Sequence, residues 1–140
     1  MSNIAQLHIQ IVTHLQTLKR ELDRLSVRQA ALLRSKKMVT SERSSDDSED
    51  ETEAFDDILA NIDAIEYDLT SFQSQMRERL NHAERGLRLI TIYSDEKNAG
   101  LLYQHILDGV QLCVSDAITA RDGYDELIEN LRELTHLRDV

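Results

Sequence analysis

Residues 99–134, AGLLYQHILDGVQLCVSDAITARDGYDELIENLREL, decide the fold. Along this stretch Ala99, Tyr103, Ile106, Val110, Cys113, Ala117, Ala120, Tyr124, Leu127, Leu131 and Leu134 follow one another at steps of three and four residues. Every position in that series is apolar or Tyr, the pattern of a long helix that buries one face in a seam. Its first half is small (Ala99, Gly100, Gly109, Cys113, Ala117, Ala120), which suits close helix approach, and its second half is Leu-rich. The weakest point is Arg121-Asp122-Gly123, where Gly costs about 1 kcal/mol against Ala inside a helix.

The same rhythm runs upstream. Phe55, Ile58, Ile62, Ile65, Leu69, Phe72 and Met76 form a seam that continues through Leu80, Ala83, Leu87 and Ile90. Near the N-terminus the series is Ile4, Leu7, Ile11, Leu15, Leu18, Leu22 and Leu25, then polar Gln29, then Leu32. The expected organisation is one domain over residues 1–140: helices over 3–37, 54–93 and 96–138, with a disordered acidic link over 39–53. Ser94 reads as an N-cap, with acids following in the first turn of the third helix, the alternative being one bent continuous helix through Tyr93–Lys97. The fold class expected is all-α, a long antiparallel hairpin plus a third long helix in a three-helix bundle or coiled coil.

Two consecutive steps of four occur at Leu7–Ile11–Leu15 and again at Phe72–Met76–Leu80. If Leu32 lies opposite Phe55 in an antiparallel hairpin, opposed residue numbers add to about 87 and the two stutters face one another. The first helix would then span ~52 Å and the third ~64 Å at 1.5 Å per residue. That difference predicts an overhanging apolar stripe at Leu127, Leu131 and Leu134, which another chain would have to cover.

Composition points the same way. The 140 residues include four Gly and no Pro, too little turn chemistry for a sandwich, barrel or doubly wound sheet. The net charge of −10 argues against general nucleic-acid binding by phosphate neutralisation. That charge is uneven: residues 39–68 hold twelve acids against one basic side chain, whereas residues 1–38 hold seven basic and two acidic. No apolar run approaches the ~18 residues needed to cross a bilayer. One cysteine and an N-terminus without a basic-then-apolar leader suggest an intracellular chain, cytoplasmic or nuclear.

Chemistry is sparse. Of five His, only His136 belongs to a Glu-x-x-His element (Glu133 to His136), and a di-metal bundle needs two. No Gly-rich phosphate loop or paired Cys occurs, and Cys113 sits on the seam as a small hydrophobe. No catalytic residue, metal or cofactor is expected. Arg20, Arg24 and Arg28 at four-residue spacing offer a patch for an anionic partner, or are neutralised within the chain by Asp56, Asp57 and the acidic link. Ser44 and Ser48, each followed by acids, resemble substrates of acidophilic kinases of the casein-kinase-two type, a pattern also common in unmodified acidic spacers.

These features predict a non-catalytic coiled-coil subunit or adaptor working by protein–protein association, as a homo- or hetero-oligomer through its helical seams. The alternative is a self-contained acidic bundle acting as a regulatory inhibitor or nucleic-acid mimic.

Overall fold

The computed structural model describes the backbone of residues 2–42, 49–93 and 96–138, and the side chains of residues 4–40, 53–91 and 98–133. Three helices fill those ranges: α1 (Ser2–Glu42), α2 (Glu49–Tyr93) and α3 (Glu96–Arg138). Each packs on both others, with α1 and α3 the most extensive pair. The chain is an all-α three-helix bundle. The division between α2 and α3 falls where Ser94-Asp95 predicts it; the N-cap itself lies outside the described residues.

Pairings across the seams give the directions. Between α1 and α2, Lys36 meets Asp63, Gln29 meets Thr70, Ser26 meets Gln73 and Lys19 meets Glu84, so the two run antiparallel. Between α1 and α3, Glu21 meets Arg121 and Arg28 meets Asp125, so these run parallel. The antiparallel return of α3 along α2 brings Tyr103 to Thr91 and Tyr124 to Asp68.

Two expectations are corrected. The first concerns the link over 39–53. Helix α1 continues to Glu42 and α2 begins at Glu49. Val39 is 1% exposed, seven residues beyond the fully buried Leu32 on the same seam, and its burial favours extending the helix. An acidic run also suits a helix N-terminus, where the macrodipole presents partial positive charge. Residues 43–48, including Ser44 and Ser48, lie outside the described residues.

The second correction is the hairpin register. Opposed residues of α1 and α2 add to between 99 and 103, not 87. Leu32 is therefore level with Leu69 rather than Phe55, a slide of about two heptads, and the stutters do not face one another. Such a slide keeps every seam position apolar, so the stripes alone do not choose between the registers. Polar groups do. Gln29 lies against Gln73 and Thr70, whereas the expected register would press its amide against Ile58.

The overhang disappears with this. The helices have 41, 45 and 43 residues, about 62, 68 and 65 Å long. Leu131 is 7% exposed and belongs to the core of the single chain, while Leu127 is 43% exposed. The side chain of Leu134 lies outside the described residues. Because α3 packs on two helices, its buried face is wider than one heptad seam: Leu107, Val114 and Ile128 are buried beside Tyr103, Val110, Ala117 and Tyr124.

Candidate functional site: a groove between α2 and α3

Two glycines shape the seam between α2 and α3 in opposite ways. A Cβ on Gly86 would meet Ile106 Cδ1 at 3.2 Å, so α2 and α3 approach closely at that point. A Cβ on Gly109 would meet no atom within 4 Å. Beside Gly109 the helices enclose an open groove of about 770 Å³. Its apolar floor is Leu18, Ala83, Ile106, Val110 and buried Cys113. Gln75, Glu78, Arg79, His82 and His105 edge it together with Leu112, which is 60% exposed.

Further exposed Leu side chains flank this part of the bundle: Leu89 on α2, and Leu101 and Leu102 on α3. Leu102, Gly109 and Leu127 share one edge of α3, since seven and eighteen residues are close to whole numbers of turns. Leu127 thus lies on the edge that faces α2, further along the same side as the groove. Of the expected interface trio, Leu127 is at the surface and Leu131 is inside.

The other sequence-derived sites have definite places. Arg28 donates to Asp125 through Nε at 2.8 Å and Nη2 at 3.2 Å, and also to the Arg24 carbonyl. The hydrogen bond from Arg28 holds the Asp125 carboxyl below its ordinary range, and its partner raises Arg28 in return. Arg24 donates to Glu21 at 2.9 Å, so two members of the Arg20–Arg24–Arg28 stripe are engaged within the chain. Their partners are Glu21 and Asp125; neither is an acid of the link. Arg20 remains exposed. Cys113 is a free, buried thiol.

Two polar layers escaped the sequence reading. In the first, buried Glu21 accepts two bonds from Arg121 Nη1, at 2.8 and 2.7 Å, with Arg24 as a third donor contact. In the second, Ser26 reaches Gln73, Gln73 donates to Gln29, and Gln29 donates to Thr70, at 3.0–3.2 Å. The interruption at Gln29 was the available signal for the second. Glu21, adjacent to Leu22 and one turn before Leu25, gave no warning of its burial. Tyr124, desolvated by burial, donates to Asp68 at 2.9 Å, and both causes raise its hydroxyl above the ordinary value.

No described helix is long and apolar enough to cross a membrane. Among the described residues no group of three His, Cys, Asp or Glu is placed to hold a metal ion. Comparison with known protein families, curated proteins and solved structures finds no match to this chain.

Proposed function

We propose that this protein is a non-catalytic helical adaptor that works by protein–protein association, and that the α2–α3 groove receives an amphipathic helix of its partner. The groove supports the reading: an apolar floor, an exposed Leu rim and open space beside Gly109. Helix-in-groove recognition needs apolar anchors one turn apart set between polar flanks, and Gln75, Glu78, Arg79, His82 and His105 supply polar flanks. Leu101 and Leu112, three turns apart on α3, extend the apolar contact.

The test is selection of displayed amphipathic helical peptides against the full chain, followed by binding to Leu101→Glu/Leu112→Glu and Gly109→Phe variants. All three positions are exposed, so the bundle should keep its helicity and melting temperature. Loss of binding in both variants is the expected result. Binders that ignore both substitutions but dissociate with added salt would favour the acidic inhibitor or mimic instead.

A further inference from the structure

Helix α2 carries a second heptad stripe on the side away from the core. Ala60, Ala64, Tyr67, Ser71, Ser74 and Glu78 recur at steps of four and three, and all are exposed except half-buried Ser71. Tyr67 is 77% exposed, the largest value among the exposed large hydrophobic side chains described. Ala60 and Ala64 on one side of this ring, and Ser71 and Ser74 on the other, make a shallow, closely approachable strip with one charge along its six positions.

The charges beyond the two ends of that strip differ in sign. Toward the N-terminus of α2 stand exposed Glu53 and Asp57; toward its C-terminus stand exposed Arg85 and Arg88. None of these four forms an ion pair with another described residue, although Lys19, Arg28, Lys36 and Arg121 all do.

We propose that this outer face of α2 is a self-association surface, on which a second copy of the chain packs its own α2 antiparallel across a two-fold axis near Ser71. That axis sets Asp57 level with the second copy's Arg85 and Glu53 level with its Arg88, each pair occurring twice. Tyr67 then lies over the second copy's Ser74, whose small side chain leaves room for the ring, and Ala60 and Ala64 admit its His82 and Glu78. A two-fold contact requires a self-complementary patch, and a helix acidic at one end and basic at the other is self-complementary only when antiparallel. The face borders the groove at Glu78 and His82, but the groove's apolar rim is on α3, and the inference does not depend on the groove being a docking site.

Sedimentation of the full chain up to high micromolar concentration tests it, with two charge-reversed variants. Arg85→Glu/Arg88→Glu makes both ends acidic, and Glu53→Arg/Asp57→Arg makes both ends basic. The wild-type chain should dimerise, each variant alone should dimerise at least about tenfold more weakly, and an equimolar mixture of the two should recover the dimer. The Leu101→Glu/Leu112→Glu variant should dimerise like wild type, which separates this surface from the groove. A wild-type chain that stays monomeric, variants that dimerise as well as wild type, or a mixture that recovers nothing would each overturn the proposal. Circular dichroism on every variant confirms that the bundle is intact.

Discussion

Helix α1 meets its two neighbours through different chemistry. Against α3 the seam carries charges: buried Glu21 with Arg121 and Arg24, and Arg28 with Asp125. Against α2 the deepest polar groups are neutral, Gln73 with Gln29 and Ser26, and the ion pairs lie at the edges. Both layers fix the axial position of α1, but they should fail differently. A buried carboxylate that loses its partner keeps a charge out of water, whereas an amide that loses its partner forfeits only dipolar hydrogen bonds.

The largest effect should come from the charged seam. Arg121→Met removes the main partner of Glu21 and is expected to cost about 3 kcal/mol, toward the low end for a broken buried pair because Arg24 remains. The double variant Glu21→Met/Arg121→Met should be more stable than Arg121→Met alone. Urea denaturation of the three proteins checks both statements, and equal costs for single and double variants would show that the pair is not effectively buried.

On the neutral seam, Gln73→Leu should cost about 1 kcal/mol by removing the donor to Gln29 Oε1, while Ser26 keeps the Leu22 carbonyl and Arg77. It should also loosen the choice of register, since two-heptad slides then meet less polar opposition. An unchanged melting temperature would mean that the amide layer does not discriminate registers.

Gly123→Ala touches neither seam and so isolates backbone entropy from both. Position 123 is exposed and helical, with open space where the methyl would sit. A gain of about 0.5–1 kcal/mol is expected from reduced unfolded-state entropy, read as a higher melting temperature. A loss would show that α3 is not regular at Arg121-Asp122-Gly123.

The smallest effect is electrostatic and pH-dependent. The Asp125 carboxyl is held below its ordinary value by Arg28, so its contribution is full above the unfolded value and fades as pH falls through the folded one. Asp125→Asn should therefore lower stability slightly near neutral pH, by less than ~1 kcal/mol for a pair this exposed, and make no difference in strong acid. Parallel denaturation curves at neutral and acid pH measure this, and an equal deficit at both would assign the effect to packing.

The heptad stripes made the helices, their number and most of the core legible from sequence. Ile62, Leu69, Met76 and Leu80 are buried as their spacing requires, and so are Tyr103, Val110, Cys113 and Ala117. Axial register was not legible, because a periodic stripe is nearly degenerate under slides of whole heptads. Gln29 held the missing information, but its partner Gln73 sits beside Phe72 on a flank that apolar counting ignores. The burial of Leu131 was missed for a related reason: ending α1 at Lys37 shortened it and created an overhang that α1, extending to Glu42, does not leave. The groove depends on which side of α3 Gly109 occupies, and an isolated Gly in a helix does not reveal that.

The groove also depends on the position of α1 along α2, since Leu18 of α1 forms part of its floor and the lock at Gln29 fixes the height of that helix. Paired cysteines read that position directly. In a Cys113→Ser background, Lys36→Cys/Asp63→Cys places one thiol on each of the two helix edges that the Lys36–Asp63 ion pair joins, within reach of a short bifunctional thiol crosslinker. Asp23→Cys/Asp63→Cys reports the register slid by two heptads. All the positions but half-buried Lys36 are exposed, so the substitutions should leave the core undisturbed. The 36–63 pair should be bridged rapidly within one chain by the short crosslinker and the 23–63 pair should not. Rapid crosslinking of 23–63, with 36–63 inert, would mean that the helices sit in the slid register and that the groove's floor is wrongly assigned.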